Sequence, residues 1–385
     1  MKRSFAILTN VVSPHMVPLG GLIANQAECA SFGYFAVGHI TAIRQKIGWR
    51  DKNCPVWVKI KSDGMSYQEF VRENGLLDVD VLLLTLRDYE LVKMRAARGL
   101  RTWFIFERWF KPPLGMWRLL SPRFLLMAIR MVRLILSGRL MGLPIGIYAA
   151  QDMARLCGLL TGDLRCLLRA PKIAFERTTG GAMMLRDGRT GTRYGLPNMR
   201  MWAYYVEGAE LTHHRAEVRA MWVGRFLAWK HVEDVIQACI MAGISLDLYG
   251  VGPEKERIEK MFSREPLIAF HGPLNAVEVR EQMQQHAIYV LASDAYEGWG
   301  VVVNEAMLEG MAVVGSIAAG SPATLIDDGV NGLLFKARDV KGLAACLEKL
   351  KDDGYRRRLA LAGQSSIRAN WVPDCAADFL LRQKE

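Results

Sequence analysis

Short apolar runs rich in β-branched and aromatic residues alternate along this chain with segments of helical periodicity, and that alternation limits the fold more than any other feature. In the first half the runs are Phe5–Thr9, Tyr34–Gly38, Val56–Ile60, Val79–Leu86, Thr102–Phe106 and Ile173–Phe175. In the second half they are Ala220–Arg225, Leu246–Gly250, Ile268–His271, Ile288–Leu291, Ala312–Gly315 and Gly332–Phe335. Helical patterns such as His231–Ala242, Glu254–Ser263 and Val277–His286 fit between them. Strands apolar on both faces must be covered on both sides, so the pattern predicts parallel sheets with helices on each face. The chain has 385 residues, more than one hydrophobic core of about 250–300 residues holds. Two open α/β domains in tandem are expected, 1–205 and 206–385. The boundary lies in the Gly- and Pro-containing stretch 190–218, before the new strand at 220, and the last helix is expected to return to the first domain.

Charge divides the same way. The whole chain carries a formal +11, but residues 1–205 hold a net +16 and residues 206–385 a net −5. A basic balance suits nucleic acid, an anionic membrane surface or an anionic substrate, and here it belongs to the first half. It is densest in 108–150, where Arg108, Lys111, Arg118, Arg123, Arg130, Arg133 and Arg139 occur with no acidic residue. On a helix, Arg123, Arg130 and Arg133 fall within about 80° of one another. They form a basic stripe suited either to a buried helix with snorkelling arginines or to an interfacial helix on anionic lipid.

Seven scattered cysteines without a C-x-x-C argue against a disulfide framework or a zinc cluster and fit a reducing compartment. The opening MKRSFAILTN reads as a first strand, not a signal peptide. No stretch reaches the ~18 apolar residues of a membrane span. A cytoplasmic protein is expected, lying against the inner face of the cell membrane if the basic stripe meets lipid.

The densest chemical signal is SDAYEGWGVVVNEAMLEG, 293–310. Glu297 and Glu305 flank Gly298 and Gly300 just before a helix-competent run. Glycines there admit a ligand close to the backbone, and carboxylates at the C-terminal edge of a parallel sheet suit sugar or ribose hydroxyls. In VGRFLAWKH, 223–231, Arg225 closes a strand and Lys230 follows five residues later, a cation pair able to stabilise a departing diphosphate. Gly20 and Gly21 lie between the first strand and a helix. No G-x-G-x-x-G or Walker A loop is present, so a nicotinamide enzyme or an ATPase loses support.

These stretches resemble the family-four retaining glycosyltransferases (glycosyl transferases group 1), of GT-B fold, with two Rossmann-like domains facing a cleft. VGRFLAWKHVEDVI (223–236), LYGVGPEKERIEKM (248–261), FHGPL (270–274), EGWGVVVNEAM (297–307) and LIDDGVNGLLF (325–335) match in order and spacing. The first half matches only loosely. The resemblance implies that Arg225 and Lys230 bind the leaving diphosphate, Glu297 faces the donor sugar and Glu305 holds the ribose. The amides of Gly300, Val301 and Val302 would lie by the sugar and phosphates, and Gly20 and Gly21 would form a glycine loop approaching the diphosphate. Such enzymes use no metal or other cofactor. The chain departs from the family's pattern at Thr324, where many relatives have Glu, and at Glu107 and Arg108, where many have His. His15 is a further polar candidate on the acceptor side.

The reading is a retaining hexosyltransferase moving sugar from a UDP-, GDP- or ADP-sugar to a glycan acceptor. A lipid-linked acceptor of cell-surface polysaccharide or lipopolysaccharide synthesis is expected, because the acceptor half is the basic one. The alternatives are a soluble phosphorylated or acidic acceptor, and a basic nucleic-acid binder. The last lacks an RNP, zinc-finger or helix-turn-helix pattern, and nucleic acid is not an expected partner.

Overall fold

The computed structural model describes residues 2–41, 54–162, 172–174, 183–186, 193–196, 199–207 and 217–382. They fall into two compact units. One comprises Met1–Thr41, Trp49–Ala203 and Ala377–Glu385, and the other is built on Tyr204–Ala376.

The first unit is built on a parallel six-stranded sheet. Its strands are β1 (Arg3–Thr9), β2 (Cys29–Ala36), β3 (Val58–Ile60), β4 (Val81–Leu84), β5 (Thr102–Phe106) and β6 (Leu140–Pro144), in the order β3-β2-β1-β4-β5-β6. VLLL of β4 and TWFIF of β5 are buried at every position, as continuous apolar runs between two helical layers must be. Three further strands, β7 (Lys172–Ala174), β8 (Met183–Arg186) and β9 (Arg193–Leu196), form a separate antiparallel sheet. The run expected at Ile173–Phe175 thus pairs outside the parallel sheet, within the part that is described.

The basic stretch 108–150 resolves into ordinary α/β parts. A 3-10 turn, Gly115–Leu120, leads into the helix Pro122–Leu136, then β6 and the helix Gly146–Thr161. Ser121 caps the first of these helices, accepting from the Phe124 amide at 3.4 Å. That helix buries Ala128, Met131, Val132, Leu134 and Ile135 and leaves Arg123, Arg130 and Arg133 exposed. Its apolar face belongs to the core of the first unit, as the buried-helix alternative expects, with the basic stripe left on the surface. Apolar exposure is concentrated instead just ahead of it, with Trp117 at 73% and Leu120 at 75%.

The second unit repeats the plan with β10 (Arg219–Arg225), β11 (Ser245–Val251), β12 (Ile268–His271), β13 (Ile288–Leu291), β14 (Ala312–Ser316) and β15 (Leu333–Phe335). The order is β12-β11-β10-β13-β14-β15, all parallel. Trp222, Phe226, Val235, Ile288 and Leu347 are among the residues of its core. Asp247 on β11 is buried and bonded to His271 at 2.6 Å and to His286 at 3.0 Å, with Arg219 beside it. Burial alone would raise this carboxyl, but hydrogen bonds to His286 and His271, with Arg219 behind them, outweigh it and hold the pKa at about 2. The final helix, Pro373–Arg382, carries Phe379 into the first unit, edge-on to Trp103 at 5.1 Å and under the Arg200 guanidinium at 3.6 Å.

Candidate functional site

In the second sheet the strand order reverses between β10 and β13, and open α/β sheets bind ligands at the carboxyl ends flanking such a switch point. The loops that leave these two strands carry Arg225 and Lys230 on one side and Glu297 on the other. The carboxyl ends of β10 and β11 pack unusually close. A Cβ on Gly250 would stand 1.8 Å from the Gly224 carbonyl oxygen, and Gly250 has φ +144°. The Phe226 amide donates to Val251 O at 2.9 Å and the Glu254 amide to Phe226 O at 3.2 Å. This leaves Arg225 exposed at the strand end, with no ion pair among the described residues.

A short 3-10 turn, Ala228–Lys230, follows. His231 then adopts the left-handed φ of 50° and opens the helix Val232–Ala242. Its imidazole bridges two elements. Arg338 donates to Nδ1 at 2.7 Å, so Nε2 keeps its hydrogen and donates to the Asp294 carboxylate at 2.9 Å. Asp294 in turn orders the next loop, accepting from the Tyr296 amide at 2.9 Å on its side chain and from the Glu297 amide at 3.0 Å on its carbonyl. Its own amide donates to Trp229 O at 3.1 Å. The two loops are therefore fastened to each other on both sides of Lys230 and Glu297. Lys230 Nζ hydrogen-bonds the Glu297 carboxylate, which also accepts from Ser293 Oγ at 3.2 Å. Lys230 and Glu297 are largely enclosed, at 15% and 12% side-chain exposure, where an ion pair is screened less than on the surface.

The backbone beyond Glu297 is held from beneath. Ser321 Oγ lies 2.8 Å from both the Trp299 and Gly300 carbonyls. Trp299 is buried and donates from Nε1 to Asn304 at 2.9 Å, and Asn304 donates to Tyr204 O at 2.9 Å. Gly300 takes φ +91°, which turns the chain into the helix Val302–Leu308. Gly300, Val301 and Val302 precede its first turn bond, from the Val303 amide to Gly300 O at 3.1 Å. Glu305 lies in that first turn, and its side chain makes no hydrogen bond or ion pair among the described residues. Desolvation raises its pKa to about 7, against partial relief from Arg280. A desolvated carboxylate with open acceptor capacity is suited to a vicinal diol.

The folded state holds this proton more tightly than the unfolded chain, so the stability it contributes is full below about pH 4.5 and is lost as the pH rises through about 7. Glu305→Gln should therefore gain on the wild type with rising pH, by up to about 3 kcal/mol above neutrality. Urea midpoints at about pH 5 and pH 8 read this directly, and a difference that does not change with pH would refute it.

The structure thus brings Lys230 and Glu297 into contact and sets Glu305 and the Gly300–Val302 amides on the same loop and helix start. On the first unit it corrects one expectation. Gly20 and Gly21 lie inside the helix Val17–Ala24, not in a loop. A Cβ on Gly20 would meet the Phe32 ring at 2.8 Å, so its small size serves helix–strand packing, while Gly21 faces open space. His15 lies in the turn before that helix, and burial lowers its pKa to about 4, leaving it neutral near pH 7. Glu107 pairs with Lys111 directly after β5, and the Arg108 guanidinium sits 4.9 Å over Tyr148. Arg130 sits 5.1 Å over Tyr89. Thr324 turns its hydroxyl onto Gly320 O at 2.6 Å. His213 and His214 lie outside the described residues. The His231–Asp294 brace was not foreseen, because partners 63 residues apart leave no spacing signal.

Residues 211–365 match the family described as glycosyl transferases group 1. Among curated proteins the chain is 35% identical over 112 residues to the sulfoquinovosyl transferase of Arabidopsis thaliana, covering 29% of this chain and 22% of that protein. It is 29% identical over 155 residues to a GDP-mannose-dependent alpha-mannosyltransferase of Corynebacterium glutamicum, covering 40% and 36%. The chain therefore spans well under half the length of these relatives. Among solved structures, Anabaena HepE in complex with UDP aligns over 97% of both chains with a TM-score of 0.60 at 14% identity. The lipopolysaccharide outer core galactosyltransferase WaaB aligns over 98% of this chain and 97% of its own, again with a TM-score of 0.60, at 12% identity. Residues 211–365 are thus similar to the group 1 glycosyl transferases, and the two parallel α/β units have the GT-B fold.

Proposed function

We propose that the protein moves a hexosyl group from a nucleoside diphosphate sugar to a hydroxyl of a glycan acceptor, with retention at the anomeric carbon. The observation that carries this reading is the enclosed Lys230–Glu297 pair at the switch point, with the exposed Arg225 at the strand end beside it. Arg225 and Lys230 supply positive charge where the diphosphate gathers negative charge as it leaves, so the reaction is written without a metal. Glu297 faces the donor sugar, and Glu305 accepts from the ribose hydroxyls. The bond from the anomeric carbon to the phosphate oxygen breaks while the acceptor oxygen bonds the same face. The acceptor proton passes to the departing phosphate, leaving a glycoside and a nucleoside diphosphate.

The acceptor is proposed to be lipid-linked and to belong to cell-surface polysaccharide or lipopolysaccharide synthesis. No helix among the described residues is long and apolar enough to cross a membrane. The exposed Leu114, Trp117, Leu120 and Leu126, next to Arg118 and Arg123, have the mixed apolar and basic character of a peripheral contact on anionic lipid. Uridine nucleotides are the first donors to test, because the HepE structures hold UDP and UDP-glucose.

One experiment addresses donor and surface together. Thermal shifts are recorded with UDP-, GDP- and ADP-sugars, alongside flotation on neutral and anionic vesicles. One sugar nucleotide should stabilise the protein in proportion to its affinity, and recovery should rise with anionic lipid and fall in Trp117→Ser/Leu120→Ser. Silence toward all three nucleotides would remove the donor reading, and equal recovery on both vesicles would remove the membrane reading.

A further inference from the structure

We infer that the first unit carries a phosphate-binding site of its own, formed by Arg87 and Arg118 around Trp109 at the carboxyl ends of β4 and β5. The inference deepens the transferase reading and rests on it for one point only, that the phosphate belongs to the acceptor.

Trp109 is the fixed centre of the site. It is fully buried, and its amide donates to Asp152 at 2.9 Å, with that of Phe110 donating to the same oxygen at 3.0 Å. The Arg87 guanidinium stands 4.9 Å over the indole ring. Arg118 reaches in from the 3-10 turn and donates to Trp109 O at 3.2 Å. Two guanidiniums are thus gathered about one residue, and neither forms an ion pair among the described residues. The neighbouring acids are already engaged. Glu107 is paired with Lys111. Asp88 accepts from Tyr67 at 2.5 Å and from the Leu91 amide at 2.9 Å. Asp152 accepts the two amides and has Arg155 at 3.5 Å.

Like charges held close without a counterion are unfavourable. The shift at Arg87 reflects this, since burial and then the nearby Arg118 weaken its hold on the proton by more than the Glu107 carboxylate, shared with Lys111, restores it. A dianionic phosphoryl group would relieve the repulsion and accept paired hydrogen bonds from both planar forks. The position agrees, because carboxyl ends of parallel strands are where such sheets bind ligands. The shared chemistry is a phosphoryl group, borne either by a soluble sugar phosphate or by a polyprenyl carrier.

The test is calorimetric titration of the full chain with inorganic pyrophosphate while UDP is saturating, so that the second unit's diphosphate site is filled. Pyrophosphate should still bind. Its affinity should fall about tenfold for each of Arg87→Gln and Arg118→Gln, be partly kept in Arg87→Lys/Arg118→Lys, and be unchanged in Arg133→Gln, on the exposed face of the helix Pro122–Leu136. UDP binding should be unchanged in the arginine variants. Pyrophosphate that binds only when UDP is absent, or equally well to Arg87→Gln/Arg118→Gln, overturns the site. Failure of UDP itself to bind would count against the donor reading and leave the pyrophosphate comparison intact. Titration with glucose 1-phosphate, and flotation on phosphatidylcholine vesicles with and without polyprenyl phosphate, separate the two sources. The source is the one whose binding the arginine substitutions weaken, and binding of neither that depends on these arginines overturns the acceptor assignment.

Discussion

Replacing Lys230 with alanine should lower sugar transfer by about a thousandfold, roughly 4 kcal/mol of transition-state stabilisation, in a protein that still folds. The ammonium is the enclosed cation nearest Glu297, and charge on a leaving diphosphate grows most in the transition state. Its loss should therefore fall mainly on kcat. Glu297→Ala should be comparably severe. The double variant should be little worse than either single one, since groups that contact each other and act as a unit are not additive. The Arg225 side chain is exposed and forms no ion pair among the described residues, so Arg225→Ala should reduce transfer with little change in stability. Initial rates at several donor concentrations, with a urea midpoint for each variant, check all of this. Near-normal turnover by Lys230→Ala would end the assignment.

The largest stability effect is expected at Gly250. A methyl group there would lie 1.8 Å from the Gly224 carbonyl oxygen. The obstacle is backbone on the central strand β10, so no side chain can swing away. The φ of +144° adds strain for any residue with a Cβ. Gly250→Ala should cost about 3 kcal/mol or more. Because β10 would have to shift, it should also displace Arg225 and weaken nucleotide binding. Gly21→Ala, which meets nothing within 4 Å in its helix, is the matched control and should stay within about 0.5 kcal/mol of the wild type. Chemical denaturation of the two variants separates these outcomes, and equal midpoints would contradict the close approach of β10 and β11.

The strands of the second unit were legible because its apolar runs are bounded by glycine and polar turns, so that β12 and β13 coincide with the expected Ile268–His271 and Ile288–Leu291. β6 was not legible. LMGLP is short, contains Gly and Pro, and follows a helix whose apolar and arginine pattern drew attention to the whole stretch. Of the candidate site, the motif positions were readable, since local backbone geometry demands glycine before the helix carrying Glu305. What joins them was not. The contacts Lys230–Glu297 and His231–Asp294 cross more than sixty positions, and only the closure of the sheet brings them together. Gly20 shows the converse failure, a glycine that looked poised for a ligand and is instead filled by the ring of Phe32.

The return of the last helix to the first unit orders events in time. Phe379 completes the aromatic packing around Trp103 and Trp202, yet 170 or more residues separate it from both. A nascent chain emerges with its N-terminal part first. The first sheet must therefore wait, with that aromatic seat empty, until the second unit has been synthesised. Proteolysis near 372–376 in the finished protein would recreate that waiting state.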